Sequence, residues 1–115
     1  MNKTIFLDID GCLVEHSGSM VEQQEFPALL PGTLDKLVEW DRKGYKIILT
    51  TGRREGIRKQ TEEMLRHHKI FYDVLLMGLP RGPRVVINDT KPDLGEPTAV
   101  GITLERNKGI SEVNI

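Results

Sequence analysis

Short apolar, β-prone runs recur along this chain, at 4–9 (TIFLDI), 45–50 (YKIILT), 73–77 (DVLLM) and 84–88 (RVVIN), with a fifth candidate at 99–104 (AVGITL). Helical periodicity fills two of the gaps between them. From Pro31 onward Leu34, Leu37 and Val38 share one face, and Gly44 suits the helix end. Ile57, Met64 and Leu65 mark a second inward face over 55–68. A strand, a helix and a further strand in one sheet make a right-handed crossover, so this alternation predicts a parallel sheet with helices on both faces. The expected fold class is α/β, a single Rossmann-like three-layer domain with a mainly parallel sheet.

A chain of 115 residues suits one domain over 1–115. Residues 14–30 are polar and irregular and read as a flap or loop, and 105–115 read as a loose tail or an oligomer contact. With a net charge of -1, nothing steers the molecule toward nucleic acid or an anionic membrane. Neither partner is expected. The one cysteine, Cys12, excludes an internal disulfide. No stretch has the length of a membrane span, and the N-terminus lacks the pattern of a signal peptide, so the expected location is cytoplasmic.

In an open α/β sheet, ligands bind beyond the carboxyl ends of the strands. The first run ends in Asp8-Ile9-Asp10-Gly11, the second in Thr50-Thr51-Gly52-Arg53 and the third in Gly78-Leu79-Pro80-Arg81. The fourth ends in Asn88-Asp89-Thr90-Lys91-Pro92-Asp93. Clustered carboxylates repel one another and require a compensating cation, and a few hard oxygen ligands favour Mg²⁺. Such a cation, with hydroxyls and basic side chains, suits a phosphoryl group. Each acid alone reads as a turn or cap. Their ordered recurrence at consecutive strand ends is the functional signal. His67-His68 read as cations at a helix end, Trp40 as helix packing, and Cys12 as a small residue behind the acid loop.

The stretch FLDIDGCL resembles the DxDG signature of the haloacid dehalogenase (HAD) superfamily of phosphohydrolases. KIILTTGR is similar to that superfamily's second motif and VVINDTKPD to its acidic fourth. The resemblance covers residues 4–93 and is nearest to small capless members associated with sugar-phosphate or polysaccharide metabolism. It implies a Mg²⁺-dependent phosphatase acting on a small phosphorylated metabolite, with Asp8 as nucleophile and Asp10 as general acid and base. It also implies Mg²⁺ on Asp8, the Asp10 main chain, Asp89 and Asp93, and Thr51 on the phosphoryl oxygens. Thr50, Gly52, Arg53 and Lys91 are the expected substrate contacts.

One position departs from the pattern. Leu79 stands where the related proteins carry a lysine, and Arg81, Arg84 and Lys91 are the replacements within reach, with Arg81 favoured by its place in the turn. A catalytically weak or inactive HAD-like binding protein is therefore an alternative, and a receiver-like signalling domain a more distant one. With no room for a large cap, the open site suits a bulky substrate or a homo-oligomer whose neighbour acts as a lid.

Overall fold

The computed structural model describes residues 2–16 and 26–115, so most of the expected flap over 14–30 lies outside the described residues. Strand β1 (Thr4–Asp8) leads to helix α1 (Thr33–Arg42), strand β2 (Lys46–Thr50), a 3₁₀ turn (Glu55–Ile57), helix α2 (Arg58–His67) and strand β3 (Val74–Leu76). The sheet runs β1-β2-β3 with both pairings parallel. The α/β class and the parallel sheet are as expected, and no large cap occurs among the described residues. The expected three layers, with helices on both faces, are not found there, because both helices lie on one side of the sheet.

The register explains which face is buried. Ile5 pairs with Ile47, and Leu7 with Leu49, which in turn pairs with Leu75. All five are buried, in one cluster with Leu37 and Trp40 of α1 and Met64 and Leu65 of α2. Two right-handed crossovers stepping the same way across a sheet put both helices on the same side. Each fully buried side chain of this size contributes about 1.5–3 kcal/mol, so this layer holds the domain together. The opposite face carries Phe6 and Leu76, which are 56% and 41% exposed, and the half-buried Ile48 and Val74. Among the described residues no helix covers it.

The helical faces differ slightly from expectation. Trp40 and Thr33, not Val38, join Leu37 on the inner side of α1. Ile57 is exposed, because the chain there is a 3₁₀ turn and the α-helix begins one residue later. Phe26 packs against the His67 ring with centroids 4.9 Å apart, and His68 Nε2 lies 2.6 Å from the Pro27 carbonyl.

Residues 105–115 are not loose. Ile110 and Val113 are buried, and Ile110 N–H donates to the Pro31 carbonyl at 3.0 Å. Gly109 has φ 85, and a Cβ there would stand 2.3 Å from the Pro31 carbonyl oxygen. The approach of these two segments therefore requires glycine.

The runs at 84–88 and 99–104 do not enter the sheet; both lie outside the strands and are exposed, except that Leu104 is half-buried against the core. The reason is the connection. A parallel crossover takes a dozen or more residues, and only 77–83 separate β3 from residue 84, with no helix among them. Residue 84 therefore remains at the carboxyl edge, and every residue from there to 97 is exposed. Thr98 Oγ donates to the Asp89 carbonyl and Asn88 Nδ2 to the Thr98 carbonyl, so the outgoing and returning limbs meet near the far end. This two-limbed excursion forms an arm.

Candidate active site

Asp8 closes β1, and its side chain lies on the open sheet face with Phe6, as the alternation of a strand requires. In register it stands beside Thr50 of β2. Crowding by surrounding atoms raises its pKa above the ordinary carboxylate range despite its access to solvent. The neighbouring Asp10 charge pushes it up further, while the Ile9 backbone N–H and the charges of Arg84 and His16 pull it back. The same burial, with the charges of Asp8 and Asp10, pushes the Cys12 thiol up to about 11. Cys12 is thus held as a thiol, and nothing activates it as a nucleophile.

After Asp8 the chain turns tightly. Leu13 and Val14 N–H groups both donate to the Ile9 carbonyl, and Gly11 N–H donates to the Val14 carbonyl at 2.7 Å. Gly11 has φ 88 and would meet Arg106 Cγ at 3.3 Å if it carried a Cβ. This turn separates the two acids. Asp10 faces Arg53, which donates from Nε to Oδ2 at 2.9 Å and from Nη2 to Oδ1 at 2.7 Å. Such a two-point pair fixes both groups in one plane.

Arg53 is itself positioned by its surroundings. Its backbone N–H donates to Thr51 Oγ at 3.0 Å, and Nη1 reaches the buried Thr61 Oγ of α2 at 3.4 Å. Thr51 is 1% exposed and is anchored through its N–H to the Leu76 carbonyl. The chain after β3 passes directly beside it, because Leu79 N–H donates to the Thr51 carbonyl and Gly78 N–H to that of Arg53. Gly52 is exposed between them. The structure thus brings together Asp8, Asp10, Thr50, Thr51, Gly52 and Arg53.

It does not bring the others to them. Asp89 pairs with Lys91 out on the arm, and both are exposed, as is Asp93. Among the described residues no three metal-ligating groups cluster. Of the four residues expected to hold Mg²⁺, Asp8 and Asp10 meet within one chain and the exposed Asp89 and Asp93 do not join them, so the expected donor set is incomplete in a single subunit. Arg81 is exposed, and it is Arg84 whose charge acts on Asp8. The Arg84 guanidinium is held by the Pro80 and Gly82 carbonyls at 2.7 and 2.9 Å, which tie it to the turn after β3.

Sequence reasoning missed the C-terminal contribution. Asn107 N–H donates to the Gly11 carbonyl at 2.9 Å, its Oδ1 accepts from His16 N–H at 2.7 Å, and its Nδ2 donates to the His16 carbonyl at 3.2 Å. These bonds clamp the acid turn from outside. The available signal was Asn107 itself, at φ 65, in an Asn-Lys-Gly turn.

This arrangement has relatives. No curated protein matches the chain. Chains in two structures, of the Pnkp1/Rnl/Hen1 complex and of the Pnkp1/Rnl/Hen1 RNA repair complex, are each 30% identical to it, with TM-scores of 0.57 and 0.55. They match 72% and 79% of this chain, which spans 30% and 28% of theirs. A crystal structure from Vibrio cholerae is 20% identical with a TM-score of 0.53, over 79% of this chain and 85% of that one, and shows the shared fold. The family model of the PITM 1-3 LNS2 domain matches residues 5–84, which hold β1 from its second residue, β2, β3, both helices and every residue of the assembled acid and threonine site. The chain belongs to the LNS2 domain family.

Proposed function

We propose that this chain is a HAD-type phosphatase that hydrolyses a phosphate monoester through a phosphoryl intermediate on Asp8. The observation that carries the reading is the pair of carboxylates split by a tight turn at the carboxyl end of β1. Asp8 is accessible on the open face, while Asp10 is oriented by Arg53. The LNS2 family has a HAD-like, phosphatase-type fold, which supports the same reading.

The reaction divides between the two acids. An Asp8 oxygen attacks phosphorus as the ester P–O bond breaks, and the leaving oxygen takes up a proton. Water then attacks phosphorus, and the P–O bond to Asp8 breaks, releasing inorganic phosphate and restoring the carboxylate. Asp10, in its acid form once the Arg53 pair is loosened, delivers the first proton and, then ionised, receives one from the water. Its two oxygens are both occupied by Arg53 in this structure, so substrate must loosen that pair. An incoming phosphate competes with Asp10 for the guanidinium and would do so. Thr50 and Thr51 lie at the adjacent strand end as donors for the transferring oxygens, and Arg84 takes the part of the cation that Leu79 cannot play. Mg²⁺ is the expected cofactor and would supply charge neutralisation of the phosphoryl group.

The substrate is a phosphorylated small molecule, with sugar phosphates the leading class. A second reading is a phosphorylated nucleic-acid end, favoured by the similarity to chains of an RNA repair complex. Phosphate release should be measured from sugar phosphates, an aryl phosphate and 3′- and 5′-phosphorylated oligonucleotides, with Mg²⁺ or chelator. Mg²⁺-dependent release lost in Asp8→Asn is the expected result. Metal binding without release from any ester would favour the binding-protein alternative.

A further inference from the structure

The arm is apolar where it should be polar. Val85, Ile87 and Val100 are 79%, 92% and 72% exposed, and Val86 and Ile102 are each 52% exposed. A two-limbed excursion of this kind is at best marginal alone in water, and clustered exposed apolar side chains mark a contact surface. The same chain carries a second such surface, the sheet face with Phe6 and Leu76 that no helix among the described residues covers. Asp8 stands on that face, at its carboxyl end. The one subunit thus presents an apolar projection, an apolar open face, and a site lacking the acids that the projection carries.

We propose that the arm docks on the open sheet face of a second copy of this chain, and that its Asp89 completes the partner's acidic site. Two features favour the second copy. The connection over 77–83 is too short to bring 84–88 into its own sheet as a parallel strand. The arm's roots are also fixed beside their own site, at Arg84 and at the Asn107–Gly11 bond, while every residue of its outgoing limb from 84 to 97 is exposed rather than packed on its own subunit. A chain holding both halves of an interface closes as a two-fold dimer, each arm covering the other's sheet. The exposed Asp89–Lys91 pair opposes this only weakly, since a surface ion pair is worth about 1 kcal/mol or less.

The first arm of the test is sedimentation of the full chain, with and without Ile87→Asp. Ile87 has almost no contacts in the single subunit, so the variant should keep its circular dichroism and melting temperature. The expected result is a wild-type dimer and a folded Ile87→Asp monomer. A wild-type monomer, or a dimer unchanged by Ile87→Asp, overturns the proposal. The second arm rests on the phosphatase reading: Asp8→Asn and Asp89→Asn chains are mixed and their phosphate release is measured. Half the random dimers are mixed and each holds one intact site, so about a quarter of wild-type turnover should return. An active wild type with no recovery in the mixture places Asp89 in its own subunit and overturns the proposal. An inactive wild type counts against the phosphatase reading alone, and sedimentation still decides the dimer.

Discussion

At the scale of single residues, the site is held in a state that folding alone does not favour. Asp8 binds its proton more tightly in the folded chain than in the unfolded one. Its ionisation therefore costs the folded state stability at neutral pH, and the cost disappears once both states are protonated, below about pH 3. Asp8→Asn should raise the melting temperature at pH 7 in chelator, with the gain shrinking as the pH falls through the carboxylate range. An equal gain at pH 7 and pH 3 would show that packing, not charge, is responsible. Arg53 behaves oppositely. Its removal strands Asp10, whose side chain is only 26% exposed, so Arg53→Ala should cost about 1–3 kcal/mol in denaturant unfolding as well as activity. Lysine would recover part of the stability and less of the orientation, because it cannot make the two-point pair. Of the two turn cations, Arg84 is the one whose charge acts on Asp8. Arg84→Ala should lower turnover tenfold or more, about 1.4 kcal/mol, and Arg81→Ala much less. The reverse order of rates would remove Arg84 from the site.

At the scale of elements, the sequence was legible wherever local pattern and connection length agreed. The three runs before residue 78 became β1, β2 and β3 within a residue or two, because each is tied to its neighbour by a helix long enough to cross the sheet. The acid turn and the Thr-Thr-Gly-Arg turn met for the same reason. RVVIN has equal β propensity, yet the chain before it has no crossover, and propensity cannot supply one. The acids behind it, Asp89 and Asp93, were consequently carried away from Asp8. The C-terminal clamp was illegible for a different reason. Asn107 reaches Gly11 across most of the chain, and no periodicity announces such a contact. Asn107→Ala removes its side-chain bonds to His16, and loss of that clamp should lower stability by about 1–2 kcal/mol in denaturant unfolding. Gly109→Ala should cost more, since backbone strain and the Pro31 carbonyl both oppose a methyl group there.

At the scale of the whole molecule, the described residues form one helical layer on one sheet face and leave the other face for something else to use. Among the described residues no helix is long and apolar enough to cross a membrane, and the exposed Phe6, Leu76 and arm side chains lie outside any helix. The site opens onto that same face, which makes the chemistry and the assembly of this domain one question. The proposed chemistry turns on Asp8 as the group that attacks phosphorus. The most direct measurement is intact-protein and peptide mass spectrometry of the chain acid-quenched during turnover of an active ester with Mg²⁺. A phosphoryl group on the peptide carrying Asp8, lost in Asp8→Asn and hydrolysed on a chase, is the expected result. Steady phosphate release with no phosphoryl group on Asp8 at any quench time, together with an active Asp8→Asn chain, would contradict the account.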